Sequence, residues 1–490
     1  MDVVCEYCSA LHWHAERLAS STSTHSSFGL CCLQGKIRLP LLKLPPPALQ
    51  SLFEEFSPLA NSFRTCIRSY NAANAFTSLG VAMDERILSG RGPTAFTIHG
   101  ELRHRIGSLL PAEGIEPNYA QLYIYDASTA LAFRESRNPH LRNDVLGIIN
   151  SVLLETNDLC RLYRRAFEIL SEVALENHAI PASLHYTPGT DPRCFNLPTT
   201  NEIAVILPGD ENVPITTRDL ILRLQDGPLL RISECHPAYW PSHYVLFFPY
   251  GELGWHPDMK QWNVSEAHHT GSRLTQLQYS AYRLFERLAE YSSILRGGAL
   301  FQEFIVDAWA AYEQNRLQYV RTHQTQLRSE VYTGLADSMN TSLNPRDIGR
   351  HLILPSSHPG SPRNMYEIYQ DSMAITRYNR HPDIFLTATA NPNWPEIRNE
   401  LKPHQTASDR PDLVARVFEL KRQAIMKIIT TDSHFGRVAG YVYTIEFQKR
   451  GLPHMHLLIF LDGVDKNRVS SQVDELVCAE FPDPHRNPIL

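Results

Sequence analysis

Between residues 60 and 255 the apolar positions come in short runs: "AQLYIYD" (120–126), "EIAVILP" (202–208) and "HYVLFFPYG" (243–251). Turn-forming clusters such as "SGRGPTAF", "YTPGTDPRC" and "LPGDENVP" separate them, and this punctuation predicts short strands. Residues 141–174 instead carry apolar positions at three- and four-residue spacing, which predicts helix. A longer helical tract is expected over 274–295 and 300–336. There Phe301, Phe304, Ile305, Ala308, Trp309 and Tyr312 form one stripe whose simplest use is packing.

Beyond residue 365 the period switches from element to element. "NMYEIYQDSMAITRY" predicts a helix with Met365, Ile368, Tyr369 and Met373 on one face, and "DIFLTATANP" predicts a strand ended by Asn391-Pro392. "RPDLVARVFELKRQAIMKII" predicts a helix opened by Asp409 and Pro411 in cap positions. Strands at 440–448 and 453–461 and a last helix at about 465–480 complete the segment. The expected class is α+β: a C-terminal antiparallel sheet flanked by helices, preceded by a mixed α/β region with long helices and a small N-terminal module. Pro45-Pro46-Pro47 is a stiff extended stop, and "LPSSHPGSPRN" (354–364) breaks the helical pattern. The divisions read from these breaks are 1–45, 46–265, 266–353 and 365–490.

Composition narrows the function classes. With 490 residues and 43% hydrophobic content the chain can build several cores. A formal charge of −6 argues against coating nucleic acid by bulk electrostatics and leaves room for a local basic groove. There is no apolar run of about 18 residues, so no membrane span is expected. The opening "MDVVCEYCSA" lacks a basic start followed by an apolar stretch, so no secretory leader is expected. Four of the nine cysteines lie near the N-terminus, and in that context they point to a metal rather than to disulfides. Cys5-x-x-Cys8 has zinc-knuckle spacing, and Cys31-Cys32 complete a Zn²⁺ site. Adjacent cysteines are unusual as paired ligands, so His12, His14 and His25 stand as alternatives for one of them.

The strand at 453–461 holds two histidines one residue apart, His454 and His456, among apolar neighbours. Five residues, Lys449-Arg450-Gly451-Leu452-Pro453, join it to the preceding strand, which is hairpin length. A register with Gln448 opposite His454 sets Glu446 opposite His456 and puts all four side chains on one face. Two imidazoles with a carboxylate or amide leave open coordination positions for a phosphate oxygen and water. The basic pair Lys449-Arg450 beside the patch suits a ligand carrying phosphates. No G-x-S-x-G elbow supports a serine hydrolase. No G-x-x-x-x-G-K-[ST] is present, so no ATP site is expected in this chain.

These residues resemble the HUH endonuclease motif of Rep-type replication initiators. More closely they resemble the N-terminal Rep region of Helitron rolling-circle transposases, the Helitron helicase-like domain. "EFQKRGLPHMHLLIFL" (446–461) looks like the second Rep motif and "FLTATANPNWPEI" (385–397) the first, with Ala388 and Ala390 where a bulkier apolar residue and a cysteine are expected. "FTSLGVAMDERILSGRGPTAFTIHGELRHRIGSLLP" (76–111), "HYVLFFPYGELGWH" (243–256), "LRGGALFQEFIVDAWAAYEQNRL" (295–317) and "DRPDLVARVF" (409–418) extend the likeness over nearly the whole chain.

The resemblance implies an HUH-type sheet in which His454 and His456 hold Mg²⁺ or Mn²⁺ with Glu446 or Gln448 as third ligand, Glu446 preferred for a hard cation. It also implies single-stranded DNA at transposon ends as partner, with Lys449, Arg450, Asn391 and Trp394 as DNA contacts. The N-terminal module would be a zinc-finger-like contact with DNA, and the location nuclear. The family nicks DNA with a tyrosine pair downstream of the histidines. Here the last tyrosine is Tyr443, and Tyr441 and Tyr443 are expected to point away from Glu446 and Gln448. The expectation is therefore the front half of a transposase, binding metal and DNA but inactive alone by the tyrosine route. The competing expectation is a non-catalytic DNA-docking protein or inert transposon remnant.

Overall fold

A computed structural model describes residues 1–22, 25–79, 82–83, 98–99, 102–174, 182–186, 204–208, 219–222, 229–323, 354–448, 451–466 and 469–476. The chain divides into two compact units, the first of residues 1–318 with 401–410 and the second of residues 319–400 with 411–490. Helices with small antiparallel sheets make up both, as the α+β reading expects.

In the first unit the predicted helix at 141–174 is two helices, Asn143–Thr156 and Asp158–Ala174. Asn157 between them is extended, and its side-chain oxygen accepts from the Leu159 N–H, which starts the second helix in a new direction. Two predicted strands are absent. Residues 119–123 form a 3₁₀ turn, and 243–251 follow the short helix Tyr239–His243 as successive turns. Val245, Leu246, Phe247 and Phe248 are nonetheless fully buried. Short apolar runs report burial more reliably than strand, and here Pro241 and Pro249 punctuate the run. The aromatic core centres on Phe76, whose ring lies 4.4 Å from Tyr123 and 5.0 Å from Tyr163.

The long helix Ala299–Thr322 is present, and its predicted continuation to 336 lies outside the described residues. Its buried face is turned relative to the expected stripe. Phe301, Phe304 and Ala308 point inward, but Trp309 is 55% exposed while Glu303 and Asp307 are buried. These carboxylates have partners from distant sequence. Asp307 Oδ2 lies 2.7 Å from His104 Nε2, and Asp307 Oδ1 accepts from the Tyr239 hydroxyl at 3.1 Å. His104 Nδ1 lies 3.0 Å from the Tyr239 carbonyl oxygen, which can only accept. Burial alone would raise the Asp307 pKa, yet the adjacent His104 charge holds it below the ordinary carboxylate value. Both His104 nitrogens therefore donate, and the pair is a buried ion pair.

The second unit is built on a three-stranded antiparallel sheet in the order Ile384–Thr389, Pro453–Leu461, Val438–Phe447. The central strand alternates strictly at its start: Met455, Leu457 and Ile459 are fully buried, while His454, His456 and Leu458 are half-buried. The helix Pro411–Thr430 covers the Met455 side with Leu413, Val417, Phe418 and Ile429, and Pro411 at its first position fits the missing N–H there. Ala388 pairs with Met455, and Ala390 is buried. The helix Pro362–Asn379 crosses the other face at the Gly440 end. A Cβ at Gly440 would lie 3.3 Å from Ile375 Cγ2, so only glycine admits that approach without displacement. Met365, Ile368 and Tyr369, expected on one face of this helix, are exposed. Of the last predicted helix, Ser470–Leu476 is described. No helix among the described residues is long and apolar enough to cross a membrane.

Candidate metal centres

The histidine pair belongs to the open face of the C-terminal sheet. His454 is flanked by Thr389 on one neighbouring strand and Glu446 on the other; His456 is flanked by Thr387 and Thr444. The expected register is thus corrected by two residues: Glu446, not Gln448, faces His454, and Thr444 faces His456. The turn is the cause. The Gly451 N–H bonds the Gln448 carbonyl at 2.8 Å, Gln448 N–H bonds the Leu452 carbonyl at 2.9 Å, and Gly451 takes φ +75°. The Gln448 backbone consequently closes the turn and Phe447 pairs with Pro453. A shift of two preserves the side on which every residue points, so His454, His456 and Glu446 still share a face.

Within that face His454 Nδ1 lies 2.5 Å from the Thr389 hydroxyl, a hydrogen bond that fixes the ring and leaves Nε2 for another partner. The two imidazole centroids are 4.4 Å apart. Glu446 Oε2 is 3.7 Å from His456 Nε2, and its side chain is 68% exposed. Phe385 lies parallel to His456 at 5.8 Å. Asn391 is exposed and its side-chain oxygen caps the Asn393 N–H; Trp394 is half-buried under the Lys421 ammonium at 5.7 Å. Lys449 and Arg450 lie outside the described residues. Tyr441 and Tyr443 point to the opposite side, with Arg422 5.1 Å over the Tyr443 ring.

At the N-terminus the strands Val3–Val4 and Leu11–His12 pair as a hairpin whose tip carries Cys5 and Cys8. A second turn brings in Cys31 and Cys32, and the four sulfurs lie within 4.8 Å of one another. Cys5–Cys32 and Cys31–Cys32 are each 3.8 Å apart. Tetrahedral zinc with Zn–S of about 2.3 Å needs sulfurs about 3.8 Å apart, so the cluster can hold a metal ion such as zinc. The adjacent cysteines both fall within the cluster, and the histidine alternatives are occupied elsewhere. His12 pairs with Glu16 at 2.9 Å and stacks on Phe28, His14 bonds Arg17, and His25 pairs with Glu6. Crowding splits the thiols. Hydrogen bonds from Cys31 and Cys32 hold Cys5 far below the ordinary thiol value and Cys8 at about 7, while the bond with Cys32 drives Cys31 upward. The Gly35 N–H donates to Cys32 Sγ at 3.2 Å. Gly35 has φ +85°, and a Cβ there would sit 2.7 Å from the Tyr7 ring, so the position requires glycine.

Sequence reasoning missed Thr389 and Arg287, which lies against Cys8. Thr389 belongs to the alternating strand pattern, and only the pairing register shows that it touches His454. No curated protein matches the chain. Residues 279–459 match the family model described as the Helitron helicase-like domain at N-terminus. Those residues include the whole three-stranded sheet up to Ile459 and both histidines, so over this stretch the chain is similar to the Helitron helicase-like N-terminal domain.

Proposed function

We propose that the open face of the C-terminal sheet is the metal-holding half of a single-strand DNA nicking site of the Rep HUH type, used in rolling-circle transposition in the nucleus. The observation that carries the reading is the placement of His454, His456 and Glu446 in adjacent rows of the one face left open beside the hairpin turn. In this reading the three side chains hold Mg²⁺ or Mn²⁺, and the Thr389 hydroxyl keeps His454 aimed. When bound, the ion supplies Lewis-acid polarisation of a phosphate oxygen. Asn391 and Trp394, with Lys449 and Arg450 of the joining segment, are the DNA contacts in this reading, and the four cysteines hold structural Zn²⁺.

A second reading, DNA docking without cleavage, is favoured by the tyrosines. Neither tyrosine of the sheet shares the histidine face, so neither is placed to attack a phosphate held there. A labelled single-stranded oligonucleotide with Mn²⁺ distinguishes the outcomes. The expected result is Mn²⁺-dependent binding that is lost in His454→Ala and His456→Ala, with no covalent adduct on a denaturing gel. An adduct would overturn the role given to Tyr441 and Tyr443, and binding indifferent to both histidine substitutions would overturn the metal face.

A further inference from the structure

The Cys₄ knuckle sits against a buried charge cluster from a remote part of the first unit. Arg287 Nη2 lies 4.0 Å from Cys8 Sγ and 3.5 Å from the Cys31 carbonyl oxygen. Its guanidinium carbon is 3.6 Å from the centre of the Tyr282 ring. Nη1 donates to the Tyr282 and Phe285 carbonyls, and Nε has no hydrogen-bond partner among the described residues. The side chain is fully buried. Glu290 is the carboxylate beside it, at 3.6 Å, but Glu290 also takes Arg283 at 3.2 Å. Glu286 is engaged by Lys402 and Arg410. Two guanidiniums thus share one carboxylate in the protein interior, and a buried cation left uncompensated is costly.

The compensating charge is on the other side of Arg287. Four thiolates around one Zn²⁺ carry a net charge of −2, and the Arg287 guanidinium lies 4.0 Å from one of those sulfurs. The backbone fastens the same two pieces together. Ala10 and Arg287 form an antiparallel bridge, the Leu11 N–H bonds the Glu286 carbonyl at 2.8 Å, and the Leu288 N–H bonds the Ser9 carbonyl at 3.3 Å.

We infer that Arg287 is the positioning counter-ion of the Cys₄ metal centre, and that the knuckle is a staple locking residues 282–290 rather than a free-standing DNA-contacting finger. Residues 282–290 lie inside the matched stretch 279–459, so the N-terminal knuckle completes the packing of the front of the Helitron helicase-like domain. The inference rests on the zinc reading of the four cysteines.

Zinc affinity of the full chain is measured by competition with a chromophoric chelator. Arg287→Met should weaken zinc binding roughly 10–100-fold, the range for groups that orient or neutralise metal ligands, and Arg287→Lys should restore much of it. An affinity for Arg287→Met within about twofold of wild type would overturn the inference. Hydrogen exchange on the wild-type chain needs no variant to fold. Stripping zinc should release the amides of 282–290 together with those of 3–12, and protection of 282–290 that survives zinc removal would refute the staple. A wild-type chain that holds no zinc by elemental analysis would remove the zinc reading itself, and the inference with it.

Discussion

Removing the Asp307 carboxylate while leaving its partners in place tests the buried ion pair of the first unit. In Asp307→Ala the Tyr239 hydroxyl loses its acceptor, and His104 is left with a ring nitrogen facing an apolar gap. All three side chains are essentially buried, so water cannot substitute. Each orphaned polar group costs roughly 1–3 kcal/mol, and breaking a buried charge pair typically costs about 3–5 kcal/mol in total. Asp307→Asn behaves differently. Its amide can donate to the Nε2 of a neutral His104 while its carbonyl accepts from Tyr239, so every group stays paired and no buried charge remains. The expected cost is about 1 kcal/mol or less. Equilibrium urea unfolding at neutral pH with zinc supplied reads both. A loss below about 1 kcal/mol for Asp307→Ala, or equal losses for the two variants, would refute the ion-pair account.

Acid should act through the same residue. The folded Asp307 pKa lies below its unfolded value of about 3.9, so its contribution is complete above that pH and disappears as pH falls through the folded value. Unfolding of the wild-type chain followed as pH falls from about 4 to 2 should show this loss; stability that stays flat over that range contradicts it. In the C-terminal sheet, Met455 is fully buried between Ala388 and Ile445, and Met455→Ala should lower stability by about 2–5 kcal/mol. Met365→Ala, at an exposed position of the Pro362–Asn379 helix, should stay within about 0.5 kcal/mol. Thermal unfolding of the two variants side by side checks the contrast.

How far the sequence led can be judged residue by residue. The alternation of His454 and His456 with Met455 and Leu457 was enough to place both imidazoles on one face, because a strand's side-chain period is fixed at two. It was not enough for register, which the Gln448–Gly451 turn sets through hydrogen bonds that the loop's length alone does not determine. The grouping of the four cysteines was legible, but their separation from the nearby histidines was not. That depended on Glu16, Glu6 and Phe28 claiming the imidazoles. Helical spacing found the helix at 299–322 but mistook its inward face, since Asp307 is buried for the sake of His104, some two hundred residues away in sequence. Arg287 was invisible for the same reason.

Titration of the zinc-loaded full chain with Mn²⁺, followed by the electron paramagnetic resonance of the free ion, tests the metal face most directly. The account predicts a Mn²⁺ site in the wild-type chain that weakens by at least about tenfold, a loss of ~1.4 kcal/mol, in His454→Ala and in His456→Ala. Equal Mn²⁺ binding by the wild type and both variants would contradict it.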